Sequence, residues 1–135
     1  GSQIGMSVQY VDNKGGAVSP SSLPAGTDFK AKITVKNTSA NYLGNLVLSY
    51  YLPSGWEIVN DRMMGNGEDA GANHLDIRDD RAYFYFNLSS DREKTFTLHL
   101  NATYKGNYTV PGIHCEAMYD NAVYYVIPAA KIEVK

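Results

Sequence analysis

Three histidines, one cysteine and a knot of aspartates are the side chains here that could carry acid–base, nucleophilic or metal chemistry. A helical zinc site needs two imidazoles one turn apart, as in His-Glu-x-x-His, and no such spacing links His74, His99 and His114. His99 falls between Thr97 and Asn101 on the polar side of an alternating segment and reads as an isolated surface histidine. A calcium site needs several oxygens converging from one loop. The run Asp76-Ile77-Arg78-Asp79-Asp80-Arg81 sets two arginines among three aspartates, which reads as a charge-balanced hairpin. Glu68-Asp69 forms a second acidic pair in a glycine-rich stretch. Cys115 is the single cysteine, so no internal disulfide and no Cys-x-x-Cys zinc pair can form. Its place in an alternating apolar run predicts a buried, inert thiol. Nucleophile elbows, phosphate loops and dinucleotide fingerprints are absent from the sequence. The residues thus predict no catalytic group, no metal, no cofactor and no enzyme activity.

The elements that must position these side chains are strands. Period-2 alternation recurs along the chain without a helical stripe. Strands are predicted over 4–11, 28–37, 43–52, 56–59, from Leu75 through Ile77, 81–88, 95–104, 108–110, 112–119, 122–127 and 131–134. The inward sets are Phe29, Ala31, Ile33 and Val35; Leu46, Leu48, Tyr50 and Leu52; Phe84, Phe86 and Leu88; and Phe96, Leu98, Leu100, Ala102 and Tyr104. Segments 13–26 and 60–73, rich in Gly and polar residues, read as loops; Pro53-Ser54-Gly55, Asp79-Asp80, Gly106-Asn107 and Asp120-Asn121 read as turns. Many short strands at regular spacing predict an all-β fold, a two-sheet antiparallel β-sandwich of the fibronectin III or macroglobulin kind.

Composition sets the outer bounds. At 135 residues the chain makes a single domain able to bury its own core. Gly1-Ser2 reads as a cloning remnant, and the whole as a fragment of a larger multidomain protein. With 12 basic and 14 acidic residues and a net charge of −2, nothing favours nucleic acid as a partner. No apolar run approaches the ~20 residues of a spanning helix, so direct membrane insertion is not expected. Four Asn-x-Ser/Thr triplets, at Asn37, Asn87, Asn101 and Asn107, would be glycan acceptors only in a secreted eukaryotic protein.

Two features ask for a covering partner. Tyr83 and Tyr85 oppose Phe84 and Phe86, so both faces of one strand are aromatic; this serves either cross-strand packing on a wet sheet or a covered surface. Alternation through 113–119 puts Ile113, Cys115, Ala117 and Tyr119 inward and Met118 outward. An outward Met beside a turn is an adaptable contact residue, unless the strand bulges and half-buries it.

Four short motifs, in order, carry a resemblance: Leu52-Pro53-Ser54-Gly55-Trp56-Glu57, the Asp76–Arg81 run, Tyr108-Thr109-Val110-Pro111 and Glu116-Ala117-Met118-Tyr119-Asp120. From about Phe29 onward the chain resembles the C-terminal domain of bacterial α2-macroglobulins, and more distantly the receptor-binding domain of the vertebrate proteins. The resemblance implies a non-catalytic β-sandwich in a protease-trapping inhibitor, resting on a thioester domain of the same chain. It implies that Met118 and Tyr119 shield the thioester from water, that trapped proteases are partners through the parent protein, and that the parent, a lipoprotein in some members, lies in the periplasm or cell envelope. Cys115 has no Gln in register to close a thioester ring, so it is not the reactive cysteine. Segment 60–73 lacks the lysines that bind receptor in the vertebrate domain, and Asn121 stands where many bacterial members have Pro. The alternative is an extracellular adhesion or carbohydrate-binding sandwich using Trp56, Tyr83 and Tyr85 as an exposed aromatic platform.

Overall fold

Strands whose side chains alternate apolar and polar bury their apolar face against another layer, here a second sheet. The computed structural model describes residues 3–59 and 74–135, and among them twelve strands do so. They are β1 (Ile4–Val11), β2 (Ser22–Leu23), β3 (Thr27–Asn37), β4 (Leu43–Tyr51), β5 (Trp56–Ile58), β6 (His74–Ile77), β7 (Arg81–Leu88), β8 (Glu93–Ala102), β9 (Gly106–Val110), β10 (Ile113–Ala117), β11 (Asp120–Ile127) and β12 (Ala130–Val134). One sheet has the order β1-β3-β8-β5 and the other β11-β10-β4-β7-β6, with every pairing antiparallel.

The predicted inward sets of β3, β4, β7 and β8 meet in one core. Phe96 of the first sheet packs on Phe84 and Phe86 of the second at centroid distances of 4.9 and 4.8 Å. Tyr10 and Tyr50 join the sheets through a 2.8 Å hydrogen bond between their hydroxyls. Trp56 and Phe29 pack edge to face at 4.9 Å within the same interior.

A third, small sheet, β2-β12-β9, lies outside the two sheets that the alternation predicts. Its β2 lies inside the predicted loop 13–26 and pairs in parallel with β12, Ser22 opposite Glu133 and Leu23 opposite Val134. Two residues carry no period, so the alternation could not reveal it. Leu23, Val110, Ile132 and Val134 bring this sheet's apolar side into the common core.

Other expectations are corrected. Tyr104, predicted inward, is exposed, because β8 ends at Ala102. There the chain turns, and the amides of Thr103 and Tyr104 both donate to the Gly55 carbonyl at 2.8 and 3.1 Å. His99 and Thr97, predicted on a wet face, are buried. Their strand is an inner one, and Lys30 and Lys32 stand directly across from them on β3. Aliphatic lysine stems are well suited to covering such neighbours. Asn37 is fully buried: its amide donates to the Leu88 and Asn41 carbonyls at 3.0 and 2.7 Å, which leaves no room for a glycan there.

Candidate interdomain contact site

The predicted turn at Asp120-Asn121 is in fact two residues earlier. Ala117 pairs with Asp120, so Met118 and Tyr119 are themselves the two-residue connection between β10 and β11. Tyr119 therefore does not point inward, as alternation predicted; it is 83% exposed, and Met118 is 44% exposed. A two-residue hairpin ordinarily matches the twist of its strands with left-handed residues. Neither Met118 nor Tyr119 has positive φ. The mismatch is taken up by a register break: Glu116 pairs with Tyr124 while Ala117 pairs with Asp120. Asp120 Oδ1 accepts the Ala122 amide at 3.0 Å inside this bulge, and Val123 is buried beneath it.

The corner is braced from the neighbouring strand. The ladder between β10 and β4 runs from His114 opposite Ser49 to Ala117 opposite Leu46, and the Met118 N–H extends it by donating to the Asn45 carbonyl at 2.9 Å. Two consecutive large side chains, one thioether and one phenol, thus project from a turn whose backbone is tied to the sheet. Nothing in the geometry gives them a reaction to perform; what the arrangement offers is adaptable apolar and aromatic contact area.

The other sequence-predicted contact residues fall elsewhere. Trp56 is 3% exposed and packs on Phe29 and Tyr10, so it is a core residue and not part of a platform. Its three-residue strand gave too little alternation to assign a face. Tyr83 and Tyr85 are half-buried on the outer face of the five-stranded sheet. Tyr83 stands edge-on to Tyr51 at 6.2 Å and accepts a hydrogen bond from Arg81 at 3.2 Å, which lowers its pKa. The Arg81 guanidinium lies 5.4 Å from the Tyr51 ring centre, His114 lies edge-on to Tyr51 at 6.0 Å, and His74 lies against Tyr85 at 5.5 Å. These rings are spent largely on one another across strands.

The acidic hairpin is charge-paired. Arg78 meets Asp76 at 3.3 Å and Arg81 meets Asp80 at 3.0 Å, the latter contact holding the Asp80 carboxyl below the usual carboxylate range. Among the described residues no three His, Cys, Asp or Glu side chains come together as a metal site. Glu68-Asp69 and segment 60–73 lie outside the described residues. Cys115 is buried, and desolvation pushes its thiol up to about 12.

Residues 4–121 match the family described as the bacterial alpha-2-macroglobulin MG10 domain. An alpha-2-macroglobulin of Rickettsia conorii is 31% identical over 129 residues, covering 90% of this chain and 7% of its own length. The chain therefore spans a small part of the curated relatives it matches. Among solved structures, native alpha-2-macroglobulin of Escherichia coli from domain MG7 to the C-terminus superposes with a TM-score of 0.88 at 20% identity, covering 98% of this chain and 23% of that one. Salmonella alpha-2-macroglobulin reacted with methylamine gives 0.86 at 20% identity, covering 98% and 9%. Both likenesses establish the β-sandwich fold.

Proposed function

The chain belongs to the family of bacterial alpha-2-macroglobulin MG10 domains, and from that premise we propose that it is a non-catalytic domain whose Met118-Tyr119 corner packs on and shields a thioester in a neighbouring domain of its parent. The parent, in this reading, is an envelope-associated protease inhibitor that captures its targets covalently. The observation that carries the proposal is the pairing of high exposure, 83% for Tyr119 and 44% for Met118, with a turn fastened to the sheet. A flexible loop could expose the same residues, but it would lose ordering entropy on docking. An acyl thioester persists only while water and small amines are kept from it, and a thioether beside a phenol ring makes a water-excluding cover.

The test uses the full-length parent and methylamine. Met118→Ala with Tyr119→Ala should speed methylamine uptake by about tenfold, the factor that corresponds to losing 1–2 kcal/mol of interface contact. A rate equal to wild type rules out the shielding. A parent that consumes no methylamine in either form has no thioester to shield, and overturns the reading as well.

A further inference from the structure

We infer that Asn45 and Asn87 are positioning residues for the Met118-Tyr119 corner, which rests on the shielding reading above. Between Leu43 and Leu46 the register of β4 against β7 slips, and at the slip Asn45 takes φ +56°. A residue bulged out of a ladder loses its ordinary cross-strand partner. Here the Asn87 side chain supplies one: its Oδ1 accepts the Asn45 N–H at 2.9 Å. At this left-handed residue the N–H thus meets the Asn87 side chain on β7 while the carbonyl accepts the Met118 N–H from the β10 side at 2.9 Å. Behind Asn87, the Lys94 ammonium donates to the Asn87 carbonyl at 2.8 Å. A chain of hydrogen bonds thus runs from β8 through β7 and β4 to the corner. Asn is among the few non-glycine residues that take left-handed φ readily, whereas a β-branched residue resists it.

Four substitutions in the full-length parent test this. Asn87→Ala removes the acceptor and Asn87→Asp keeps one. Asn45→Val opposes the left-handed conformation and Asn45→Gly permits it. Methylamine uptake should rise about fivefold in Asn87→Ala and Asn45→Val, the factor one net backbone hydrogen bond supplies, and stay near wild type in Asn87→Asp and Asn45→Gly. Amide exchange should quicken in the peptide spanning Ala117 to Tyr119 in the first two variants and not across the rest of the domain, a pattern general destabilisation does not give. Wild-type uptake in Asn87→Ala and Asn45→Val, beside fast uptake in the Met118/Tyr119 double variant, overturns the positioning role and leaves the shielding intact. Wild-type uptake in that double variant overturns both. Uptake as fast in Asn45→Gly as in Asn45→Val shows that the left-handed backbone is not what matters. Should Asn45→Val fail to fold, the contrast between Asn87→Ala and Asn87→Asp decides.

Discussion

The Tyr50 hydroxyl is fully buried with Tyr10 as its hydrogen-bond partner, and burial holds its pKa well above the ordinary tyrosine value. Cys115 is in the same position, its thiol pushed up to about 12. Both groups are neutral when protonated. The folded chain therefore keeps protons that the unfolded chain releases once pH passes the ordinary cysteine and tyrosine values. Stability must fall as pH rises through that window, for Cys115 from about 9 to about 12, with a slope near 1.4 kcal/mol per pH unit for each group in its own window. Urea unfolding between pH 7 and 11.5 should show this decline. Cys115→Ala should remove its first part, since the unfolded thiol ionises before the phenols. An unchanged slope in Cys115→Ala would mean the thiol is not held protonated. Tyr50→Phe should cost about 1 kcal/mol at pH 7 through the lost partner of Tyr10. The burial of Cys115 was legible from strict alternation in 113–117. That of Trp56 was not: its neighbours Glu57 and Ile58 give no period, and its face is decided by Phe29 and Tyr10, distant in sequence.

Long strands could be read directly, because ten or so alternating residues leave one choice of face; the inward sets of β3, β4 and β7, and that of β8 up to Ala102, came out as alternation dictates. Strand ends could not. Extending the alternation of β8 by two residues put Tyr104 inside, and extending that of β10 did the same to Tyr119. At β8 the Thr103 and Tyr104 amides turn to the Gly55 carbonyl, and at β10 the chain reverses so that Ala117 pairs with Asp120; in each case the backbone ends the strand where the side-chain pattern would let it continue. Gly55 also shows how elements are joined. A Cβ built there would overlap the Tyr108 ring, so the absence of a side chain lets β9 lie against the turn between β4 and β5. Gly55→Ala should force that ring aside and lower stability by about 1–3 kcal/mol, with Tyr108→Ala restoring part of the loss in the double variant. Equal stability of Gly55→Ala and wild type in thermal unfolding would show that the ring moves without consequence.

At the scale of the molecule, the domain reads as a stiff block that presents the Met118-Tyr119 corner to solvent, away from its own core. Two sheets locked by Phe84, Phe86 and Phe96 leave little freedom between β10 and the body, and the aromatic outer face is largely self-paired. With a net charge of −2 the chain has little long-range field to steer docking, so under the proposed reading contact geometry defines the interface. If the corner docks in the parent, its chemistry there should differ from its chemistry in the free domain. Met118 is 44% exposed whereas Met6 is 8% exposed, which supplies an internal reference. Thioether oxidation by peroxide follows solvent access. In the isolated domain Met118 should form sulfoxide well ahead of Met6. In the full-length parent its rate should fall toward that of Met6, while Met6 itself, being sealed by its own sheet, should hardly change. Peptide mapping by mass spectrometry reads both sites in one sample. A Met118 that oxidises equally fast in the two settings faces solvent in the parent, and a corner that faces solvent cannot be keeping water from anything.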